Sequence, residues 1–243
     1  MGPERNLRMG VRTVLCRRTL LLGLALSLSG CATDNLDWLG IAYDVTEADR
    51  RNYAALERER FPIPAVELQK LDPKFRRQEV AYQTREPAGT VVVDTSKRYL
   101  YLVGSGGRAM RYGIEVGREG LSWSGSATIA RKAEWPTWTP PAEMIARDPR
   151  TAPYARGMPG GPDNPLGARA LYLYQGGHDT LYRIHGGGRP TTLGKATSSG
   201  CIRLLDHDAI DLFNRVPVGA KTVVLPDPLL SSAPLQKPGG GEA

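Results

Sequence analysis

Runs of apolar and β-branched residues begin at residue 89 and predict a β-rich domain. Residues 90–94 and 98–103 are two such runs, separated by a polar Thr-Ser-Lys turn. A glycine cluster at residues 104–107 leads into a third run at residues 109–116. No helical pattern follows the glycines, so a hairpin turn is favoured there over a phosphate-binding loop. Three strands with tight connections predict a β-meander.

A long irregular segment separates these strands from a second group. Residues 117–170 are rich in Trp, Pro and Gly, and a loop of this length inside a compact domain is typical of a lid or binding wall. We expect Trp123, Trp135 and Trp138 to form a loop lid near the cleft, with ordinary core packing as the alternative for each. Further strands are expected at residues 170–174, 180–185, 202–203 and 221–225.

One amphipathic helix is expected after the strand at residues 202–203. Asp206 can cap it, and apolar side chains recur on one face up to about Val216. The predicted fold class is therefore mostly β, that is, β-rich α+β with one main helix. Residues 31–87 are charged and helix-prone in part and predict a tether with a short helix, while residues 227–243 have the composition of a disordered tail.

The first 30 residues have the pattern of a signal peptide. An arginine-rich start leads into an apolar stretch at residues 19–28, which is too short to span a bilayer comfortably. The stretch ends in Leu28-Ser29-Gly30-Cys31, which resembles the lipobox of bacterial lipoproteins, where the chain is cut before a cysteine that carries a lipid. The alternative is a plain secretory peptide with a chance cysteine. Arg17-Arg18 is typical of either a twin-arginine motif or a general basic start.

The positive charge of the chain is concentrated in this leader. The net charge is +7, but residues 1–30 hold five arginines and one glutamate, and the remainder has 27 basic and 24 acidic residues. No basic run with interleaved aromatics follows Cys31, so a nucleic-acid partner is not expected. We expect a periplasmic protein attached to a membrane through lipidated Cys31, and Ala32 at the next position favours the outer membrane.

The three cysteines have different expected fates. Cys16 leaves with the signal peptide, Cys31 is consumed by the lipid, and Cys201 remains alone in an oxidising compartment, where thiols are usually paired. Cys201 is therefore either a buried inert residue or a reactive nucleophile.

Two motifs sixteen positions apart favour the nucleophile. His185 ends an apolar strand and opens into glycines, and Cys201 lies within Ser-Ser-Gly-Cys-Ile-Arg. A cysteine attacks as a thiolate, so it needs a nearby base or positive charge. His178 lies in a polar turn and His207 at the start of the helix, and both are expected on the solvated surface. His185 is therefore the candidate base.

The neighbours of Cys201 add two further candidates. Gly200 lets the chain turn before the nucleophile, and the N–H groups of Gly200 and Cys201 are candidate oxyanion donors. Strand geometry places Cys201 and Arg203 on the same side. Arg203 is expected to hold a substrate carboxylate or to favour the thiolate, with a structural salt bridge as the alternative.

The segment from His185 to Phe213 resembles the signature of L,D-transpeptidase catalytic domains, which have a YkuD-type fold. That signature reads His-Gly, a spacer, and then Ser-X-Gly-Cys-Ile/Val-Arg, as in HGGG and SSGCIR here. The similarity covers about residues 88–226, including Trp-Pro-Thr-Trp-Thr-Pro-Pro and Asn-Pro-Leu-Gly at residues 164–167. It implies a catalytic domain over residues 88–226, built as a mixed β-sheet sandwich with a long loop lid.

The resemblance also implies a role for each matching residue. Cys201 corresponds to the nucleophile and His185 to the proton acceptor, the carbonyl of Gly186 orients the histidine, and Gly200 and Arg203 match the remaining signature positions. The implied reaction is acyl transfer on peptidoglycan stem peptides. The thiolate attacks the carbonyl of the third residue of a tetrapeptide, expels D-alanine, and passes the acyl group to an amine, giving a 3→3 cross-link or an attached protein. No metal or cofactor is needed, and carbapenems are expected to acylate the thiol.

Two departures from the family pattern bear on the acceptor. Many members have His where this chain has Ser199, so only His185 can serve as base, and many have Thr where this chain has Gly187. Ser199 and Trp138 are candidates for substrate contact. Water as acceptor would make the chain an L,D-carboxypeptidase or endopeptidase. A non-catalytic peptidoglycan-binding lipoprotein is the alternative from another class, although retention of both Cys201 and His185 argues against it.

Overall fold

Ten β-strands form one continuous mixed sheet in the computed structural model, which describes residues 45–117, 123–196 and 201–227. The strands are β1 (Gln78–Ala81), β2 (Val91–Asp94), β3 (Tyr99–Val103), β4 (Arg108–Gly113), β5 (Glu115–Val116), β6 (Gly125–Glu134), β7 (Arg169–Gln175), β8 (His178–His185), β9 (Ile202–Arg203) and β10 (Lys221–Val224). Their order is β1-β4-β3-β2-β10-β6-β7-β8-β9-β5. The β2–β10 and β8–β9 pairs are parallel, and the other pairs are antiparallel. The predicted mostly β fold with a mixed sheet is confirmed.

One short connection bends the sheet back on itself. β4 lies next to one end of the strand order and β5 forms the other end, yet Ile114 is the single residue between them. Two extended residues span at most about 7 Å. The two ends of the sheet must therefore lie close together, which makes the sheet a sandwich.

Apolar side chains from both ends of the strand order fill the enclosed space. The cluster includes Val91, Val93, Leu100, Tyr112, Ile129, Leu171, Leu173, Ile184 and Ile202. The main helix, α3 (Asp206–Arg215), adds Ala209 and Leu212 to this core. Its N-cap is Leu205, so the predicted cap at Asp206 is wrong. Asp206 is the first helical residue, and its carboxylate binds backbone groups outside the helix.

The other helices are short. α1 (Glu47–Asn52) begins with a capping box, in which the side chains of Thr46 and Asp49 each accept a hydrogen bond from the other's backbone N–H. α2 (Ala142–Arg147) lies in the long loop after β6. Short 3-10 helices span Leu68–Lys70, Pro73–Phe75 and Pro149–Tyr154. Within the described ranges, no helix has the length and apolar character needed to cross a membrane.

The expected tether is part of the folded unit wherever it is described. Tyr53, Leu71 and Phe75 form an apolar cluster with Leu193 and Leu205, which lie within the signature segment. β1 pairs with β4, so this segment also adds a strand to the sheet. The sequence pattern did not predict this packing because these apolar residues are widely spaced, and their partners lie far away along the chain.

Two strands differ from the sequence prediction. The single run expected at residues 109–116 is split at Ile114 into β4 and β5, which join opposite ends of the sheet. β6 lies inside the segment expected to be irregular. Its strand signal is weak because its core side chains are those of Ala127 and Ile129, and a bulge beginning at Ile129 then breaks the alternation.

Candidate active site

Parallel pairing of β8 with β9 brings the two predicted motifs together. Ile184 lies opposite Ile202 in the core, and His185 lies opposite Arg203. Because side chains alternate along a strand, Cys201, one residue before Ile202, faces the same side as His185. Diagonal neighbours on adjacent strands have Cα atoms about 8 Å apart, a separation that their side chains can bridge. The candidate nucleophile and base thus share one face of the sheet.

The neighbouring strands extend this face into two rows of side chains. The nucleophile row consists of Arg131 on β6, Tyr172 on β7, Arg183 on β8 and Cys201 before β9. The histidine row consists of Ala133 on β6, Ala170 on β7, His185 on β8, Arg203 on β9 and Glu115 on β5. Both alanines are small, and Ala170, the neighbour of His185, is fully buried.

Cys201 is half-buried at the start of β9. Its carbonyl oxygen accepts a hydrogen bond from the N–H of Gly117 at 3.1 Å, which ties the backbone of the nucleophile to the end of β5. Ser199 and Gly200 lie outside the described residues. The oxyanion function of Gly200 and the substrate contact of Ser199 therefore stay predictions.

His185 is fixed by its backbone surroundings. The side chain is buried, and its Nδ1 lies 2.8 Å from the carbonyl oxygen of Gly186, the group that the resemblance assigns to orient it. A carbonyl can only accept, so Nδ1 carries the proton and Nε2 is the basic nitrogen. Burial, with the positive charge of Arg203, lowers the pKa of His185 to about 3. The ring is therefore neutral at neutral pH and able to accept a proton.

Glycines pack the turn after His185 against Asp206. The Oδ1 of Asp206 accepts hydrogen bonds from the N–H groups of Ala168 at 2.7 Å and Gly187 at 3.0 Å. A Cβ on Gly186 would lie 2.0 Å from this oxygen, and one on Gly167 would lie 2.3 Å from it. Burial raises the pKa of Asp206, although the two backbone donors oppose that shift. Asp206 thus holds the backbone whose carbonyl orients the histidine.

Arg203 lies beside His185 and is paired with a buried acid. Its Nη1 is 3.0 Å from Oε1 of Glu115, whose side chain is almost fully buried, while the Arg203 side chain is one-quarter exposed. The Nε of Arg203 has no hydrogen-bond partner within the described part of the chain. The structural salt bridge considered as an alternative is present, and substrate carboxylate binding by Arg203 stays a prediction.

The long loop after β6 returns to the site through Asn164. Its buried amide donates hydrogen bonds to the carbonyl oxygens of Pro136, Met158 and Pro159 at 2.9–3.1 Å. Its Oδ1 accepts from the N–H of Leu166 at 2.9 Å. The backbone of Leu166 in turn forms a hydrogen bond with His185 that raises the pKa of the histidine, against the larger effect of burial. One amide therefore connects the loop to the candidate base.

The three tryptophans of the expected lid lie in different surroundings. Trp123 stacks on Tyr182 with ring centroids 5.0 Å apart and packs against the main core, on the face of β8 opposite His185. Trp135 is buried and donates a hydrogen bond from Nε1 to Glu59. The lid prediction is therefore wrong for these two, which serve core packing. Trp138 is half-buried within the loop, and its contact with substrate stays a prediction.

The other two histidines have different outcomes. His178 is exposed, as predicted. His207 is buried, and its Nε2 donates a hydrogen bond to the carbonyl oxygen of Ala54 at 2.8 Å, so its predicted surface position is wrong. The expected tether covers it, which the helix pattern alone cannot reveal. No group of three or more His, Cys, Asp or Glu side chains that could hold a metal ion occurs in the described ranges.

The low pKa of His185 predicts a specific loss of stability in acid. The folded pKa of about 3 lies below the unfolded value of 6.5, so below pH 6.5 the unfolded chain binds a proton that the folded protein does not. We expect the free energy of unfolding of the wild type, relative to that of His185→Gln, to fall by about 2–3 kcal/mol between pH 7 and pH 4.5. Urea denaturation at both pH values measures this, with exposed His178→Gln as the matched control. If the difference in free energy of unfolding between the wild type and His185→Gln does not change with pH, the prediction is wrong.

Comparison with protein families now decides the assignment. The model of the YkuD L,D-transpeptidase catalytic domain matches residues 88–225, more than half of the chain. The chain belongs to this family. The match contains both rows of the site face and ends just after β10.

Individual relatives cover the same region. The chain is 34% identical over 146 residues to the probable L,D-transpeptidase YbiS of Escherichia coli, covering 57% of this chain and 45% of that protein. It is 36% identical over 137 residues to a putative L,D-transpeptidase of Fuscovulum blasticum, covering 56% and 68%. A solved chain from Brucella melitensis, described as a probable carnitine operon oxidoreductase, is 50% identical, with coverage of 65% and 99% and a TM-score of 0.45. The chain thus spans less than half the length of YbiS.

Proposed function

We propose that this protein is a peptidoglycan L,D-transpeptidase in which Cys201 is the nucleophile and His185 its base. The observation that carries this proposal is the placement of both side chains on one face of adjacent parallel strands. Membership of the L,D-transpeptidase catalytic domain family supports the substrate class, a stem tetrapeptide with D-alanine at its end.

The reaction follows from these two groups. His185 takes the thiol proton as the sulfur of Cys201 bonds to the carbonyl carbon of the third stem residue. The bond from that carbon to the nitrogen of D-alanine breaks, and the proton passes from His185 to the leaving amine. An acceptor amine then attacks the thioester carbon, gives up a proton to His185, and displaces the sulfur, which recovers the proton.

The environment of His185 keeps the ring neutral before substrate binds. A preformed ion pair requires the imidazolium, which burial and Arg203 disfavour. In this proposal the proton moves as the substrate is attacked, and charge develops on the oxyanion and the ring together. The Gly186 carbonyl stabilises the ring as it becomes positive, since Nδ1 donates to it.

Product analysis tests this proposal directly. Soluble protein beginning at Ala32 is incubated with purified disaccharide-tetrapeptide, and the products are identified by mass spectrometry. A dimer lacking one D-alanine is the expected product of an amine acceptor. Monomeric tripeptide alone would assign the protein as an L,D-carboxypeptidase, with water as acceptor. No product, together with no acylation of Cys201 by a carbapenem, would favour a peptidoglycan-binding lipoprotein.

We also propose that lipidated Cys31 anchors the protein on the periplasmic side of the outer membrane. The support is the sequence Leu28-Ser29-Gly30-Cys31 with Ala32 following, and these residues lie outside the described part of the chain. Metabolic labelling with a fatty acid is expected to give one labelled protein, and Cys31→Ser is expected to lose the label completely. Cys16→Ser is the matched control and should keep it. Label that persists in Cys31→Ser would reject the anchor, and fractionation of the two membranes tests its location.

A further inference from the structure

The nucleophile row continues away from Cys201 as alternating cationic and aromatic side chains. Arg131, Tyr172 and Arg183 occupy successive positions on β6, β7 and β8, and Arg183 is next to Cys201 in register. The Cζ atoms of Arg131 and Arg183 lie 4.4 Å and 4.6 Å from the centroid of the Tyr172 ring. One ring therefore positions two guanidinium groups on the site face.

The two guanidinium groups differ in how their charge is balanced. Arg183 forms a two-pronged ion pair with Asp179, with N–O distances of 2.8 Å and 2.9 Å, and its side chain is 15% exposed. Arg131 is exposed and has no acidic partner within salt-bridge distance among the described residues. Its stacking on Tyr172 restricts the side chain without neutralising it. The row therefore ends in one uncompensated and ordered positive charge.

The position of this charge limits what it can bind. Adjacent strands are about 4.8 Å apart, so Tyr172 lies about 10 Å and Arg131 about 14 Å across the sheet from Cys201. Three extended residues span about 10 Å, which reaches Tyr172, and the Arg131 guanidinium stacks on that ring 4.4 Å from its centroid. A peptide whose carbonyl is at Cys201 and which runs along the row would thus bring an upstream carboxylate under the Arg131 guanidinium. Guanidinium and carboxylate groups form strong charge-assisted hydrogen bonds.

The sign of the charge favours a carboxylate over an amine. The acceptor presents an amine that is protonated when free in solution, and a cationic row would repel it. The acyl donor carries a carboxylate upstream of the attacked carbonyl, in addition to the terminal carboxylate of the leaving D-alanine. The charge of the row therefore matches a carboxylate of the stem rather than the acceptor amine.

We propose that Arg131, ordered by Tyr172, is a specificity residue that binds a carboxylate of the donor stem upstream of the attacked carbonyl. This inference rests on the proposed function for the identity of the donor. Arg183, held by Asp179, also stacks on the Tyr172 ring and keeps it in place.

A binding measurement tests this without turnover. Full-length protein in detergent with Cys201→Ala is titrated with a stem tetrapeptide whose upstream carboxylate is either free or converted to the carboxamide. Arg131→Gln is expected to raise the Kd of the free-carboxylate stem about three- to tenfold and to leave that of the amidated stem within about twofold. Arg131→Lys should give an intermediate Kd for the free-carboxylate stem. Arg108→Gln on β4, an exposed arginine on a distant strand, is the matched control and should change neither Kd.

The results distinguish a failure of the carboxylate site from a failure of the proposed transpeptidase function. Equal effects of Arg131→Gln on both stems, or no effect on either, would overturn the carboxylate site even if the wild type makes cross-linked product. A selective effect on the free-carboxylate stem would support the site even if the wild type released only tripeptide. Circular dichroism of each variant checks that the sheet is intact.

Discussion

Cys201→Ala is expected to eliminate both cross-linked dimer and released tripeptide, because every route to product begins with the thioester. Loss of the nucleophile in a nucleophile–base pair lowers kcat by at least about 10⁴-fold, which is below detection in an endpoint product assay. The fold should be unaffected, since the side chain is half-buried and belongs to none of the apolar clusters of the described residues. Mass spectrometry of products and a thermal melt on the same preparation measure the two quantities together.

The chain offers an internal control for this experiment. A protein beginning at Ala32 has Cys201 as its single cysteine, so a thiol reagent modifies the wild type at that residue and cannot modify Cys201→Ala. Modified wild type should behave like the variant. His178→Gln should keep full activity, because His178 is exposed at the start of β8, at the opposite end of the strand from His185. Residual tripeptide from a folded Cys201→Ala protein would show that another group performs the hydrolysis and would remove Cys201 from the mechanism.

Arg77→Ala is expected to destabilise the protein by about 3–5 kcal/mol, because it leaves a buried carboxylate without its cation. The Nη1 of Arg77 lies 3.6 Å from Asp208 and 3.3 Å from Asp211, and Asp208 is fully buried. The hydroxyl of Tyr53 also donates to Asp208, at 3.3 Å, and accepts from the N–H of Arg77, at 2.6 Å. These contacts fasten the segment before β1 to the helix that follows the active-site strand.

The destabilisation caused by Arg77→Ala is expected to increase with pH. Burial raises the pKa of Asp208 to about 7, above its unfolded value of 3.8, while Arg77 opposes that rise. Protonated Asp208 therefore stabilises the folded protein at low pH, and this contribution to the free energy of unfolding is lost as the pH rises through 7. Removing Arg77 raises the pKa further, so the loss in Arg77→Ala should be larger at pH 8 than at pH 5. Urea denaturation at both pH values measures it.

Two matched variants make this result specific. Arg85→Ala changes an exposed arginine nearby and should alter the free energy of unfolding by less than about 0.5 kcal/mol. Asp208→Asn added to Arg77→Ala should recover part of the loss, because a neutral amide needs no cation. A loss below about 1 kcal/mol for Arg77→Ala, or no recovery in the double variant, would mean that the segment before β1 is held by apolar packing alone.

Local sequence patterns predicted the strands and the signature residues well. β2, β3, β7, β8 and β10 agree with their predicted runs to within one or two residues, since each carries several β-branched or aromatic side chains. His185 ends its strand as predicted, and Gly186 orients it. These features depend on neighbours in sequence, which a pattern can record.

Local sequence patterns did not predict the tertiary contacts. Glu115 meets Arg203 across 88 positions, and nothing near either residue indicates the other. Asp206 looked like a cap because acids are common at helix starts, yet its carboxylate holds Ala168 and Gly187 instead. Residues 45–81 pack against Leu193 and Leu205. A domain boundary at residue 88 agrees with the start of the family match, but it divides this apolar cluster.

The single-residue link between β4 and β5 also sets an order of events during folding. β5 pairs with β9, which lies more than 80 residues later in the chain, so that pairing closes a long loop. Contacts of high sequence separation form slowly, because the loop entropy is lost before the contact stabilises anything. The ion pair of Arg203 and the anchoring of Cys201 both belong to that closing step. A molecule in which β5 has not yet paired with β9 would therefore carry a thiol that is not positioned for the proposed acyl transfer.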